Sequence, residues 1–355
     1  MKWILTISVL VVAASVAVAQ WPKAVGPPDN AIHHEPMPRK DGLSAAGSDA
    51  PVILLEEDEA VGPIATPAKE PNSDDLLYRT SPIGAPAHPD SVHNVAREVR
   101  PDRATGREPW LTYHTVFDPA VIPFKRNNVK DKVISSGALV VDNTQLWELP
   151  VAGNTISNGR EIFLGSILVE LRPGFHVPIP SVSPESRILS YVSTPPVKLV
   201  FHKDSADNLY VSAKEHSGRL RLKMVMDAPS HWFARPIPKG IRMDQIPIRL
   251  RKRLPKILQR EARLVRDRLG LGSNGDFGRS LSKLVHWFRS FKAGELPNAP
   301  KRSLYLNIAL SQKGICRHRA WAFTITAQSL GIPCRYVQNE AHAFVEVWIP
   351  ESGAF

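Results

Sequence analysis

The strongest constraint on the fold is a change of hydrophobic period near the C-terminus of this 355-residue chain. Four apolar side chains recur at spacings of three and four residues, as in an amphipathic helix: Ala320, Phe323, Ala327 and Leu330. Gly314 marks the expected start of this helix, and Pro333 follows its expected end. Residues 334–337 form a short extended run, and residues 342–349 alternate as in a strand after a polar turn. This order of elements predicts an α+β fold.

One cysteine and one histidine hold special positions in this pattern. Cys316 falls in the first turn of the predicted helix, where unpaired N–H groups and the helix dipole favour an anion. The anionic thiolate is the form of cysteine that attacks a carbonyl carbon. His342 opens the predicted strand, and packing of that strand on the helix would bring its imidazole to the thiol. We therefore predict that Cys316 and His342 form a catalytic pair.

The alternation in the last strand also predicts which side chains face the core. One set is apolar and is expected to face inward: Ala343, Val345, Val347 and Ile349. The other set shares the opposite face: His342, Phe344, Glu346 and Trp348. His342 is therefore predicted to lie outside the apolar layer.

Three short motifs carry a resemblance to a known family. They are Gly314-Ile315-Cys316, the connector Gly331-Ile332-Pro333-Cys334-Arg335-Tyr336-Val337, and Ala341-His342-Ala343-Phe344-Val345-Glu346-Val347. Over roughly residues 240 to 355 the chain resembles the core of transglutaminase-like cysteine enzymes of the bacterial exported type. The resemblance implies a papain-like core, with Cys316 as nucleophile and His342 as general base and acid. It also implies an aspartate on the next strand, which would lie beyond Phe355, so a truncated catalytic domain is expected.

Three other roles for these residues fit the sequence less well: His318 as the base, a zinc site and a disulfide. His318 is two residues from Cys316 on the helix, so it is expected to point away from the thiol. A zinc site built from both cysteines and both histidines lacks the usual ligand spacing, and no metal or cofactor is predicted. A disulfide with Cys334 would consume the nucleophile, so Cys334 is interpreted as a buried thiol.

The donors of an oxyanion hole are harder to predict. The backbone N–H of Cys316 is one candidate, because nucleophile and helix start coincide. Trp287 and Asn307 lie upstream, but nothing in their local sequence distinguishes either from a core indole or a loop amide. The second donor stays unassigned.

The N-terminal part of the chain divides into two segments. Residues 1–19 combine Lys2, an apolar run from Ile4 to Val18 and a small-x-small cleavage pattern, and so are predicted to be a secretory signal peptide. No later segment could cross a membrane, so we expect export to the periplasm, cell envelope or medium. Residues 20–108 are rich in proline and poor in aromatic side chains, which predicts a disordered linker or propeptide.

Short strand-like runs dominate the middle of the chain. Residues 109–235 are predicted to form a β-sandwich domain, and residues 236–355 the catalytic domain. Within the sandwich, the runs 209–214 and 220–226 are predicted to form a hairpin across the turn 215–218.

A basic stretch, 249–268, separates the two predicted domains. It is expected to be helical, with one apolar face that consists of Leu254, Ile257, Leu258, Ala262, Val265 and Leu269. The simplest interpretation of its many arginines is a solvated face. The alternative, which the net charge of +11 permits, is binding to an anionic envelope surface. No nucleic-acid partner is expected. A second helix is predicted over 280–291.

These observations predict an exported thiol enzyme that acts on protein or peptide amides through a cysteinyl thioester. Acyl transfer to an amine, as in a transglutaminase, and hydrolysis, as in a cysteine peptidase, differ only in what resolves the acyl-enzyme. The alternative is a non-catalytic binding or assembly module of the envelope with a vestigial core.

Overall fold

The fold combines β-sheets with a C-terminal group of helices. A computed structural model describes residues 54–56, 59–61, 77–79, 98–105, 114–121, 124–153, 157–234, 237–272, 275–299, 302–340, 342–350 and 352–355. The helices in these ranges are α1 (Lys256–Leu269), α2 (Phe277–Arg289), α3 (Leu304–Ser311) and α4 (Cys316–Ser329). The predicted mixed α+β character is confirmed.

Most strands precede the helices, and the last two follow them. The strands are β1 (Leu54–Glu56), β2 (Glu59–Val61), β3 (Leu77–Arg79), β4 (Phe117–Asp118), β5 (Asn128–Lys130), β6 (Lys132–Val133), β7 (Leu139–Val140), β8 (Trp147–Leu149), β9 (Arg160–Leu171), β10 (Val177–Ile179), β11 (Arg187–Thr194), β12 (Val200–Lys203), β13 (Leu209–Ser212), β14 (Gly218–Pro229), β15 (Cys334–Gln338) and β16 (Ala343–Val347).

Two sheets in the middle of the chain share one hydrophobic core. One has the strand order β10-β13-β12-β8, and the other has the order β11-β14-β9-β3 with β4 also paired to β9. Alternate side chains of β9 and β14 enter the same apolar cluster as Phe201 of β12 and Val211 of β13. The further prediction, that this region is a separate β-sandwich domain, stays a prediction.

The predicted hairpin between 209–214 and 220–226 is wrong. β13 pairs with β10 and β12, whereas β14 pairs with β9 and β11 in the other sheet. The chain therefore crosses between the sheets at 213–217. β14 and β9 each have twelve residues and pair over their whole length in one antiparallel register, whereas β13 has only four residues. β14 can therefore form many more backbone hydrogen bonds with β9 than it could with β13.

A third sheet, β16-β15-β5, positions the end of the chain. Its strand β5 comes from the segment predicted as β-sandwich and pairs with β15 from Tyr336↔Lys130 to Gln338↔Asn128. The β6–β7 pair follows β5, and its Val133 and Leu139 enter the same core as the helices. The predicted boundary at 235 therefore does not coincide with the limit of this sheet.

The third sheet is buried on both faces. On one face α4 packs against β15 and β16, with α1, α2 and α3 around α4. On the other face Phe344 joins a cluster with Val129, Trp232 and Val337. The prediction that His342 lies outside the apolar layer is therefore wrong, because the region N-terminal to the helices covers that face and leaves His342 only 2% exposed.

Parts of the predicted disordered linker are ordered. β3 pairs in parallel with β9 and buries Tyr78, which supplies an aromatic anchor in a proline-rich sequence. Residues 98–105 also pack against the helical region, where Val99 bridges to Leu139. The predicted signal peptide at 1–19 lies outside the described residues. In the described ranges no helix has the length and hydrophobicity that crossing a bilayer requires.

The basic stretch is only partly helical. α1 begins at Lys256 because Pro255 precedes it, and the residues upstream form short 3-10 turns. Leu258, Ala262 and Val265 are buried as predicted, whereas Ile257 is exposed, contrary to the predicted apolar face. The second predicted helix corresponds to α2, whereas the helix α3 was not predicted.

Candidate active site

Local geometry fixes Cys316 as the first residue of α4. Ile315 is the N-cap, and Gly314 before it has φ +144°, a conformation that L side chains rarely adopt. A Cβ at position 314 would lie 2.5 Å from the Cβ of His318. The chain thus enters the helix through a turn that only glycine fits. The predicted helix is confirmed, and so is the place of Cys316 in its first turn.

His318 caps the helix and is neutral. The Ile315 N–H donates to Nδ1 of His318 (3.4 Å), so the ring proton is on Nε2, which donates to the carbonyl oxygen of Asp102 (3.2 Å). The side chain is fully buried, and burial, followed by the nearby Arg317, lowers the pKa of His318 from 6.5 to about 4. Its ring nitrogens are used by backbone groups, which leaves it a structural role.

The two cysteines differ in their surroundings. Cys316 is partly buried, whereas Cys334 is 2% exposed at the start of β15, and neither is in a disulfide. The Cys334 thiol donates to the carbonyl oxygen of Thr324 (3.7 Å), and burial raises its pKa well above the ordinary value. The prediction of a buried, reduced Cys334 is confirmed.

Cys316 and His342 belong to elements that pack against each other, since α4 contacts both β15 and β16. Cys334 lies beside Thr324, eight residues or about 12 Å along α4 from Cys316. From Cys334, β15 extends over about 13 Å to Gln338, which pairs with Ala343, the residue after His342. β16 then runs the other way, so that its last residue Val347 returns to Cys334.

The turn that carries His342 is held by its own backbone and by the N-terminal region. The His342 N–H donates to Oδ1 of Asn339 (2.7 Å), and the Asn339 N–H donates to the His342 carbonyl oxygen (2.9 Å). Nδ2 of Asn339 donates to the carbonyl oxygen of Lys125 (3.1 Å). The His342 and Phe344 rings share a face of β16 at 6.3 Å, with planes inclined by 18°.

A buried ion pair secures the same turn. Nζ of Lys125 lies 2.5 Å from Oε1 of Glu340, and their side chains are 3% and 7% exposed. Glu340 also accepts from Nδ2 of Asn127 (2.9 Å) and from the His114 N–H (2.7 Å). Burial alone would raise the pKa of Glu340, but the charge and hydrogen bond of Lys125 and the N–H of His114 outweigh it, so the pKa lies below the ordinary value. The carboxylate is therefore ionised.

A second buried pair ties β16 to the preceding region. Nε of Arg126 lies 2.5 Å from Oε1 of Glu346, and the same guanidinium donates to Oγ of Ser181 (2.8 Å) and to the carbonyl oxygen of Asp207 (3.0 Å). Sequence reasoning missed both pairs. The adjacent charges at 125 and 126, directly after Phe124, were the available signal, but their partners lie more than 200 positions away.

Residues 98–105 form a strap across the first turn of α4. Arg317 donates to the carbonyl oxygen of Ala104 (3.0 Å) and lies 3.3 Å from Oδ1 of Asp102. The Gly294 N–H donates to the carbonyl oxygen of Thr105 (3.2 Å). An open cleft of about 390 Å³ lies between the strap and the loop that contains Gly294. Its lining residues are Arg103, Ala104, Thr105, Gly294, Glu295 and Leu296.

The two side chains considered as oxyanion donors are engaged elsewhere. Nε1 of Trp287 donates to the carbonyl oxygen of Ala309 (3.1 Å), and Nδ2 of Asn307 donates to the carbonyl oxygen of Pro297 (3.1 Å). Both therefore stabilise the helical region. Among the described residues no group of three or more His, Cys, Asp or Glu is placed to hold a metal ion.

Comparison with known proteins identifies the segment that carries these residues. Residues 272–353 match the family model of the transglutaminase-like superfamily. This segment is transglutaminase-like. It contains both Cys316 and His342, together with α2, α3, α4, β15 and β16. The strand β5, which completes the sheet, lies outside the transglutaminase-like segment.

Solved structures add one similar chain. A crystal structure from Cytophaga hutchinsonii, described as a candidate cysteine protease, is 14% identical, with 58% of this chain and 75% of that chain covered and a TM-score of 0.26. A search of curated proteins finds no match.

Proposed function

We propose that this protein is a thiol enzyme that acts on protein or peptide amides. Cys316 gives up its proton to His342 and attacks the amide carbonyl, and the C–N bond breaks as His342 returns the proton to the departing amine. The product is a thioester on Cys316. Water resolves it in hydrolysis, and a primary amine resolves it in acyl transfer, with His342 taking the proton in either case.

One observation carries the proposal. Cys316 begins α4, His342 immediately precedes β16, and α4 packs against both β15 and β16, which supports a contact between the two side chains. A nucleophile at a helix N-terminus benefits from the dipole, and a base at a fixed turn loses little entropy when it reacts. The backbone N–H of Cys316 is the candidate donor to the oxyanion that forms.

The first test is the reactivity of the two thiols. Iodoacetamide should modify Cys316 faster than an unstructured cysteine at neutral pH, whereas buried Cys334 should react only after unfolding. Peptide mapping by mass spectrometry assigns each site. Cys316→Ala should remove the fast phase, and the matched variant Cys334→Ala should retain it. A fast phase that persists in Cys316→Ala, or that never occurs, contradicts the proposal and favours a non-catalytic binding module.

A second test separates the role of His342 from structural damage. His342→Gln should lower the alkylation rate and flatten its pH dependence while the protein stays folded by circular dichroism. His176→Gln, a partly exposed histidine in the β10-β13-β12-β8 region, is the control and should behave as the wild type. An unchanged pH profile in His342→Gln would exclude it as the base.

The nature of the acceptor is a separate measurement. Incubation with a glutamine-containing peptide and a labelled amine gives label in the peptide if the enzyme transfers acyl groups. Ammonia or cleaved peptide without label indicates hydrolysis. Cys316→Ala, which lacks the nucleophile, should give neither product.

We also propose that the protein is exported, on the basis of the apolar run and small-x-small pattern in residues 1–19. Mass spectrometry of the protein from its native host should then find an N-terminus at Gln20. Recovery of an N-terminal peptide that still contains Ile4 to Val18 would contradict cleavage.

A further inference from the structure

The outer face of α1 exposes two large aliphatic side chains. Ile257 and Leu264 are 54% and 55% exposed and lie seven residues apart, which is two turns, so both point to the same side of the helix. The buried residues Leu258, Ala262 and Val265 face the core, about 100° or more around the helix axis from this pair. α1 therefore exposes an outer apolar strip, formed by Ile257 and Leu264, that borders its buried side.

Cations surround this outer strip. The exposed cations of α1 are Lys256, Arg260, Arg263 and Arg268. The exposed acid on this helix is Asp267, which lies 3.8 Å from Arg263. Arg260 is three residues from Ile257 and Arg268 four from Leu264, so each aliphatic side chain has a guanidinium beside it.

Other basic residues nearby have internal partners, which shows that the exposed ones form a distinct group. Arg251 donates to the carbonyl oxygens of Ile246 (2.7 Å) and Met243 (3.0 Å). Lys252 lies 3.0 Å from Asp131 and 2.8 Å from Asp142. Further along, Arg266 donates to the carbonyl oxygen of Ser329 (2.7 Å). These contacts stabilise the fold and leave the outer face of α1 to other partners.

We propose that the outer face of α1 binds the surface of an anionic lipid bilayer. Aliphatic side chains between arginines match the boundary of a membrane, where acyl chains accept the apolar groups and lipid phosphates accept the guanidinium groups. A soluble polyanion such as nucleic acid or an acidic polymer offers the charges, but it has no apolar interior in which the side chains of Ile257 and Leu264 could be buried. The net charge of +11 strengthens the attraction to an anionic surface at a distance. This inference does not depend on the thiol chemistry.

Vesicle co-sedimentation tests the proposal with the full chain. Binding should be strong to phosphatidylglycerol-containing vesicles and weak to pure phosphatidylcholine. The variant Ile257→Ser/Leu264→Ser should lower the partition coefficient on anionic vesicles about tenfold or more, because it removes both aliphatic groups that would enter the bilayer. Arg260→Gln/Arg263→Gln/Arg268→Gln should lower it by about fivefold per charge.

Matched variants on the β-sheets control for general surface effects. Leu164→Ser/Val192→Ser removes two exposed aliphatic side chains, and Arg172→Gln/Lys214→Gln/Arg219→Gln removes three exposed cations. Both should bind anionic vesicles as the wild type does. Circular dichroism checks that every variant is folded.

Three results would overturn the proposal. Equal vesicle binding by the wild type and Ile257→Ser/Leu264→Ser, with loss only in the arginine variant, would indicate attraction to any polyanion. Equal losses in the β-sheet controls would indicate a charge effect of the whole protein. Absence of binding to anionic vesicles, with concentration-dependent association that Ile257→Ser/Leu264→Ser abolishes, would indicate that a second copy covers the face.

Discussion

At the scale of single residues, the start of α4 depends on two residues that take no part in the proposed chemistry. Gly314 supplies a φ of +144° and leaves room for the Cβ of His318, and His318 then returns to cap the N–H of Ile315. Cys316 follows directly. The position of the candidate nucleophile is therefore set by a glycine and a neutral histidine that precede and follow it.

Gly314→Ala should disturb this entrance. A methyl group 2.5 Å from the Cβ of His318 forces the turn or the histidine to move, so we expect a loss of about 2 to 4 kcal/mol in unfolding free energy. Alkylation of Cys316 should slow as well. Gly218→Ala is the matched control, since Gly218 has φ +123° but nothing within 4 Å of the added Cβ. Equal losses in both variants would show that backbone strain, not the contact with His318, is responsible.

His318 should also make stability depend on pH. Its pKa in the folded state, about 4, is lower than the 6.5 of the unfolded chain, so protons favour the unfolded state. The stabilisation is complete above pH 6.5 and is lost as the pH falls towards 4, with a span of roughly 3 kcal/mol. Urea unfolding of the wild type and His318→Gln between pH 7 and 4 measures it. The variant should be less stable at pH 7 and should lose less on acidification; parallel curves would contradict this role.

At the scale of elements, the turn between β15 and β16 is held from outside its own sheet. Asn339 binds both the backbone of His342 and the carbonyl of Lys125, while Glu340 binds the ammonium of Lys125. The turn thus takes its position from residues 114–127. The candidate base is fixed by contacts that the transglutaminase-like segment does not itself contain.

Glu340→Gln should therefore be costly. It leaves the Lys125 ammonium buried without its counter-charge, for which we expect a loss of about 3 to 5 kcal/mol, measured by urea unfolding. The control is Asp244→Asn, which breaks the exposed pair between Arg242 and Asp244 and should cause no measurable change. A loss in Glu340→Gln no larger than in the control would show that Lys125 reaches water when its partner is neutral.

At the scale of the whole molecule, the transglutaminase-like segment is not a self-contained C-terminal unit. β5 is one of the three strands of its sheet, and the pairs Lys125–Glu340 and Arg126–Glu346 span the predicted boundary at 235. The cluster around Phe344 also takes Val129 and Trp232 from the preceding region. The fold of the segment 272–353 is completed by residues that precede it.

A deletion series can test this dependence. Residues 237–355 alone retain α1 to α4, β15 and β16 but expose one face and one edge of the sheet, so we expect no cooperative thermal unfolding by circular dichroism. Residues 98–355 restore β5, both buried cations and the strap, and should unfold cooperatively. A sharp transition in the shorter fragment would show that the helices and two strands suffice.

The sequence predicts local structure here better than it predicts assembly. The hydrophobic periodicity of α4, β15 and β16 is clear because each element lies in one continuous segment. The helix start at Cys316 follows from Gly314 and from the spacing of the apolar residues. The pairing of β5 with β15, the separation of β13 from β14 and the burial of His342 depend on distant partners. Local periodicity carries no information about these contacts. The role of Glu340 was missed for the same reason.

The distance along the chain between β5 and β15 also has a consequence during synthesis. Lys125 emerges from the ribosome 215 residues before Glu340, and β5 emerges long before its partner strand. Until β15 and β16 have been synthesised, β5 lacks its partner strand and the cations of Lys125 and Arg126 lack their carboxylates, and long-range pairing of this kind is slow. The nascent protein therefore cannot complete the sheet that carries His342 until β16 has left the ribosome, so β5 stays without its partner strand while all the intervening residues are made.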